Sequence, residues 1–319
     1  MPFDVAAVRQ AARFGDHRTV RRLCLEEADG GTPVRDIVDV LARLQEEIGE
    51  HWLAGEVTAA DEHRSTAAVD AALAALELHL GPPPAAPPVV CVCAEGEWHA
   101  VASRMAALVF AAAGRPTIFL GPSLPAGDLA RFVTGARAAA VAISCSTVAA
   151  LPGAARCVAA VGAAGVPVLV GGQAFRAVPA AAGAFGALNL DDAQDAALAL
   201  EGLPPPGPAA DLDTASLAAL DAVRTSLVDV ASNGILARRP LGADAAGVVE
   251  DALDYALGFG RAAVLLRHRS VLRDHERWLE AFLAGRVAPV SAEEVLAALG
   301  CAVEEVLGGH KELHEVFGL

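Results

Sequence analysis

Glu97, Trp98 and His99 stand side by side in Cys93–Met105, CAEGEWHAVASRM, where a short apolar run gives way to an Ala-rich, helix-like segment. An imidazole at such a point can act as a general base, ligate a metal through a neutral ring nitrogen, or simply face solvent. A carboxylate close to it can hold the second ring nitrogen and so orient the ring. Two further stretches, SCS (Ser144 to Ser146) and VGGQ (Val170 to Gln173), follow later apolar runs. Their hydroxyls can form hydrogen bonds, and Gly171 and Gly172 admit close backbone approach. Elsewhere WLAGEVTAADEH sets Trp52, nine intervening residues, then Glu62 and His63, an aromatic face with two hydrogen-bonding side chains.

The elements that must position these groups fall into three compact units separated by two Pro-dense breaks. Residues 1–80 have helical periodicity interrupted at GD (Gly15, Asp16), DGGTP (Asp29 to Pro33) and AGEVT (Ala54 to Thr58), which predicts a four-helix bundle. Pro33 suits a first helical turn behind Thr32, and Thr58 with Asp61 has the pattern of an N-cap. GPPPAAPP (Gly81 to Pro88) cannot continue a helix and reads as an extended linker. Over residues 89–203, VVCVC, PTIFL, AAVAISCS, VPVLVGG and FGALNL alternate with helix-like segments. Continuous apolar strands of this kind predict an α/β unit with a doubly wound parallel sheet covered on both faces. GLPPPGPAAD (Gly202 to Asp211) is the second linker, and 211–319 reads as an all-α domain of about five helices, with breaks near Gly234–Gly242, Gly285–Pro289 and Gly308–Gly309.

The formal charge of −15 opposes a phosphate backbone, so direct nucleic-acid contact is not expected. No apolar run reaches the roughly 18 residues of a membrane span without Gly, Pro or charge, and no basic stretch leads into a hydrophobic core at the N-terminus. With scattered cysteines in apolar segments, this predicts a cytoplasmic chain with reduced thiols.

In a doubly wound sheet ligands bind beyond the carboxyl ends of the strands, the edge that EWHAVA, SCS and VGGQ share. Here the chain resembles the cobalamin-binding domain family, with its pattern Asp-x-His-x-x-Gly, 41 residues, Ser-x-Leu, 26 to 28 residues, Gly-Gly. In this sequence 41 residues separate Ala102 from Ser144 and 24 separate Ser146 from Gly171. The departures are Glu97 for Asp, Ala102 for Gly, Ser146 for Leu and the shorter last gap. The resemblance implies that His99 ligates cobalt in place of the cofactor's dimethylbenzimidazole. Ser144, Ser146, Gly171, Gly172 and Gln173 would then accommodate the displaced nucleotide tail, with Glu97 orienting the imidazole and Trp98 beside it.

The Trp52, Glu62 and His63 spacing resembles the Trp-x9-Glu-His motif in the helical cap of cobalamin photoreceptors, which implies that these side chains enclose an adenosyl group above cobalt. The repressors within that photoreceptor family place a His directly after the Trp; this chain has Leu53 there, and His51 and His63 are the nearby imidazoles. The order of cap, cobalamin domain and helical domain resembles the photocobilins, light sensors that also bind a bilin such as biliverdin. In RAAVLLRHRSVLRDHERW, His268 and His275 are seven apart on what reads as one helical face, with Trp278 nearby and Tyr255 one helix earlier. Arg261, Arg267 and Arg269 could pair with propionates. Cys301 is a possible attachment point on reactivity alone, and His310 and His314 have metal-pair spacing on what reads as a surface.

These features predict a non-enzymatic photoreceptor that binds adenosylcobalamin and a bilin, signalling through a homo-oligomer or a downstream protein. The alternatives are a corrinoid methyl carrier and a module that binds cobalamin alone. Nothing in the sequence reads as the barrel domain of a mutase.

Overall fold

The computed structural model describes residues 3–190, 193–200, 202–286, 289–308 and 310–318. The chain divides into two compact units: residues 1–52, 57–147 and 153–208 form the first, and residues 53–56, 148–152 and 209–319 the second.

Four helices open the chain: α1 (Val5–Arg13), α2 (His17–Asp29), α3 (Val34–Leu53) and α4 (Ala59–His79). Three of them start at a side-chain cap. Asp4 and Asp16 accept the backbone N–H groups of Ala7 and Thr19, and Thr58 with Asp61 forms a reciprocal capping box at α4. Their apolar stripes meet in a core of Val20, Ile37, Leu41, Val69, Leu73 and Leu76. The Pro-rich segment 81–88 is exposed and without regular structure.

The sheet contains β1 (Val89–Cys93), β2 (Thr117–Gly121), β3 (Ala140–Ser144), β4 (Val168–Gly171) and β5 (Leu188–Asn189), all parallel, in the order β2-β1-β3-β4-β5. Helices α5 (Val101–Ala112), α6 (Ala126–Ala136), α7 (Leu151–Ala163), α8 (Gln173–Ala177), α9 (Ala180–Phe185) and α10 (Ala193–Ala199) make the crossovers. Strand β1 is buried at every position, as its unbroken apolar sequence requires. One sheet face packs Val89, Cys91, Ala140, Ala142 and Leu169 against Ala107 and Phe110 of α5 and Ala197 of α10. Helix α5 turns its other side to the bundle, where Met105, Leu108 and Val109 join that core. The bundle and the sheet are thereby packed as one unit through a shared helix.

The second unit is helical: α11 (Thr214–Ala222), α12 (Arg224–Arg238), α13 (Ala243–Leu265), α14 (Ser270–Asp274), α15 (Glu276–Gly285), α16 (Ala292–Leu307) and α17 (Lys311–Phe317). These are seven described helices rather than about five. Gly234 lies inside α12, and the break comes only after Arg238. The expected single face carrying His268 and His275 is absent. Helix α13 caps at Leu266, Arg267 takes a left-handed conformation at φ 51°, and the two histidines lie on either side of the short α14. A non-Gly residue in that conformation carries no sequence signal comparable to Gly or Pro. The expected breaks at Gly285–Pro289 and Gly308–Gly309 include Val287, Ala288 and Gly309, which lie outside the described residues. No helix among the described residues is long and apolar enough to cross a membrane.

Candidate functional site

The order β2-β1-β3 makes the carboxyl ends of β1 and β3 a topological switch point, because the chain leaves these neighbouring strands in opposite directions. Both strand ends carry a loop, and Glu97 joins them. Its turn is set by Gly96 at φ +85°, whose N–H donates to the Ser123 hydroxyl at 3.1 Å, and by the Glu97 N–H donating to Ala94. The Glu97 side chain is only 1% exposed. One carboxylate oxygen lies 2.6 Å from His99 Nδ1 and accepts the His99 backbone N–H at 2.9 Å. The other accepts the backbone N–H groups of Ser146 and Thr147 at 2.7 and 2.8 Å, and the Thr147 hydroxyl at 3.2 Å.

This buried carboxylate is satisfied on both oxygens, as burial of a charge demands. Burial opposes its ionisation, but the hydrogen bonds from His99 and from the backbone of both loops prevail, and Glu97 is held below its usual range. The reciprocal effect raises His99: its bond to Glu97 outweighs desolvation, and the charges of Glu97 and, from α4, Glu62 add to it. In neutral His99, Nδ1–H donates to the carboxylate and the lone pair sits on Nε2. The imidazole is 65% exposed, so that nitrogen is available to a ligand.

Glu62 comes from the helical bundle. It lies on α4 with its side chain 25% exposed, and the Thr66 hydroxyl one turn later lies 2.6 Å from its carboxylate. The same hydroxyl lies 2.7 Å from the side-chain oxygen of Gln45 on α3. Trp52, seven residues after Gln45 on α3, is half-buried, and His63 is 3.6 Å from Glu62 with its side chain 81% exposed. Glu62 is near enough for its charge to add to the raised proton affinity of the His99 imidazole.

The remaining residues expected around the nucleotide tail are at the same sheet edge. Ser144 ends β3, Gly171 ends β4, and Ser146 gives its backbone N–H to Glu97. Gly172 has φ +103°, and a Cβ there would collide with the Cys145 carbonyl, so the chain's own packing already requires this glycine. Gln173 accepts the Arg176 guanidinium. Trp98 is exposed beside the imidazole. Sequence reasoning missed Thr147, Gln45 and Thr66. Thr147 directly follows SCS, while Gln45 and Thr66 are one helical face away from Trp52 and Glu62, spacings that could have found them.

Cys91 and Cys93 beneath the loop are pushed up to about 12 by burial, so they are thiols and not thiolate ligands at neutral pH. Among the described residues no group of three or more His, Cys, Asp or Glu is arranged to hold a metal by itself. A lone imidazole with an oriented carboxylate partner instead fits a metal that arrives with its own equatorial donors, as the cobalt of a corrin does.

In the helical unit Tyr255, Phe259, His275, Trp278 and Phe282 come together, with ring centroids 4.5 to 5.6 Å apart. His275 lies 2.6 Å from the Val271 carbonyl through Nδ1. His268 does not join them; it lies 2.9 Å from Ser270 on the exposed side. Arg261 bonds Asp221 at 2.6 Å and Arg267 pairs with Asp211 and Asp213, so two of the three expected propionate partners already hold carboxylates. His314 pairs with Glu304 at 2.7 Å.

A helical cap packed on a flavodoxin-order sheet, with a carboxylate-oriented histidine at the switch point, defines a corrinoid-binding architecture. Residues 87–200 match a family model described as B12 binding domain, and residues 5–77 match a second with the same description. These stretches are B12-binding domains, and cobalamin is the ligand they serve. Among solved structures, the monomethylamine corrinoid protein of Methanosarcina barkeri is similar at 20% identity and TM-score 0.51, over 61% of this chain and 95% of that one. A cobalamin-binding protein from Desulfitobacterium hafniense aligns at 19% identity and TM-score 0.34, over 62% of this chain and 97% of that one. No curated protein matches the sequence.

Proposed function

We propose that this chain is a light sensor that holds adenosylcobalamin, with His99 as the cobalt ligand and Trp52, Glu62 and His63 around the adenosyl group. Bound adenosylcobalamin supplies a cobalt–carbon bond that visible light breaks. Glu97 presents His99 in the tautomer that ligates a metal and excludes rotation of the ring. Trp52 offers an aromatic face to a nucleobase, and Glu62 an acceptor to its hydroxyl or amino groups. The observation that carries this reading is the Glu62 carboxylate, held by Thr66 and close enough to His99 to raise its proton affinity. A polar cap of this kind is wasted on a methyl group and suited to a nucleoside. Trp52, Glu62 and His63 would lose contacts to the group if it departed, which would shift the population away from the arrangement of cap and sheet that those contacts favour.

The helical unit is the place for a bilin such as biliverdin, through His275 and its aromatic neighbours rather than through Arg261 and Arg267, and it faces a second copy or a downstream protein. The protein is then a cytoplasmic binding protein and not an enzyme. Adenosylcobalamin loaded in the dark should show a changed absorption spectrum after green light, and a biliverdin titration should add a red band. An unchanged cobalamin spectrum on illumination rejects the sensor reading.

A second reading is a corrinoid methyl carrier, favoured by the fold it shares with the monomethylamine corrinoid protein. Methyl transfer to a partner methyltransferase, without any response to light, is the result that would select it.

A further inference from the structure

The bundle holds a polar relay that the Trp-x9-Glu-His spacing does not include. Thr66 has one hydroxyl proton and two oxygens within reach, Glu62 Oε1 at 2.6 Å and Gln45 Oε1 at 2.7 Å. The ionised carboxylate is the stronger acceptor and takes that proton. Gln45 then satisfies Thr66 by presenting its amide nitrogen to the hydroxyl, which leaves its carbonyl oxygen at the other amide position. That position is shielded from solvent and has no hydrogen-bond partner in the structure. A buried acceptor without a donor is costly and calls for a group that supplies one. The adjacent surface of α3 has room for it: Gly49 lies between Gln45 and Trp52 on the same face, and a Cβ there would meet nothing within 4 Å.

We infer that Gln45 and Thr66 determine which group the cap accepts above cobalt: Thr66 fixes the Glu62 carboxylate, and the free Gln45 carbonyl accepts a hydrogen bond from a nucleoside hydroxyl or amine. The inference rests on the reading of this face as the adenosyl site. It makes the two residues discriminate a nucleoside upper ligand from methyl or hydroxide, which offer this carbonyl no ribose or adenine donor.

The test is dark titration of the full-length apoprotein with adenosylcobalamin, methylcobalamin and hydroxocobalamin, for the wild type, Gln45→Leu, Thr66→Val and Thr66→Ser, with apoprotein melting measured alongside. Gln45→Leu and Thr66→Val should each weaken adenosylcobalamin about tenfold. Binding of the other two corrinoids should stay within about twofold, and Thr66→Ser should restore the wild-type preference. Apo Gln45→Leu should melt no lower than the wild type, because it removes a polar group that nothing in the apoprotein satisfies. Equal weakening for all three corrinoids, or a wild-type preference that survives both substitutions, overturns the inference while leaving the adenosyl reading intact. A wild type that binds adenosylcobalamin no more tightly than methylcobalamin overturns both.

Discussion

With His99 as the proposed cobalt ligand, His99→Ala should abolish histidine ligation and Glu97→Gln should weaken it about 10- to 100-fold, with different signatures that distinguish the two roles. The alanine variant offers no imidazole on this loop, so electron resonance of the cobalt(II) form should lose the imidazole nitrogen coupling altogether. The glutamine variant keeps the ring but has one acceptor oxygen where Glu97 uses two. That oxygen can serve His99 or the Ser146 and Thr147 N–H groups, and the amide nitrogen repels whichever donors remain, at roughly 1–3 kcal/mol for each group left unmet. Glu97→Gln should therefore also lower the melting temperature, which His99→Ala should change far less.

The proton follows the same logic. Glu97 raises His99 above its ordinary value, so in the apoprotein Nε2 should take up its proton at a higher pH than in an isolated histidine. Removing the carboxylate's charge lowers the imidazole pKa, so Glu97→Gln should shift protonation of the His99 ring in the apoprotein to lower pH. Ring-nitrogen NMR of the apoprotein measures the shift directly. A His99 pKa unchanged by Glu97→Gln would show that the contact does not govern the ring.

Gly153→Ala should destabilise the first unit by roughly 1–3 kcal/mol or more, despite gaining about 1 kcal/mol of helix propensity. Gly153 sits in the first turn of α7, and a Cβ there would collide with the Glu95 carbonyl oxygen. Backbone cannot yield as the end of a flexible side chain can, so the clash outweighs the propensity gain. Glu95 is two residues before Glu97, and its carboxylate is also tied, to the Ala126 N–H and to Arg156, each at 3.3 Å. Displacing its carbonyl displaces the turn that sets the imidazole, so cobalamin affinity should fall along with stability. Gly135→Ala is the control: it is also helical, in α6, and its added Cβ meets nothing within 4 Å, so it should stabilise. Thermal unfolding of the two variants, with cobalamin titration, should show opposite signs in melting and a loss of affinity only for Gly153→Ala.

The sheet and the bundle were legible because each writes its burial directly into the sequence. VVCVC is buried on both faces and can be nothing but apolar, and α3 places Ile37, Leu41, Leu44 and Ile48 along one stripe. Glu97 and His99 were legible from spacing. The grip of Glu97 on Ser146 and Thr147 was not, because it crosses about fifty residues and exists only once β1 and β3 are neighbours. Thr147 takes part through its backbone as well as its hydroxyl, and backbone donors carry no residue signature. Gln45 and Thr66 escaped because amides and hydroxyls on helices usually face solvent; only the pairing of α3 with α4 turns them into a relay. In the helical unit the break at Arg267 misled the reading of His268 and His275, since the arginine adopts a conformation that sequence assigns to glycine.

The sheltered cysteines have a practical outcome. Cys24, Cys91, Cys93, Cys145 and Cys157 are all buried and all raised in pKa, whereas Cys301 on α16 is exposed. Reactivity toward maleimides follows thiolate population and access, so a fluorophore should attach at a single position of the native, unmutated chain, verifiable by mass spectrometry. The molecule thus comes with a ready-made anchor for a reporter dye on its helical unit, from which energy transfer to a corrin chromophore could be followed without engineering the binding domains.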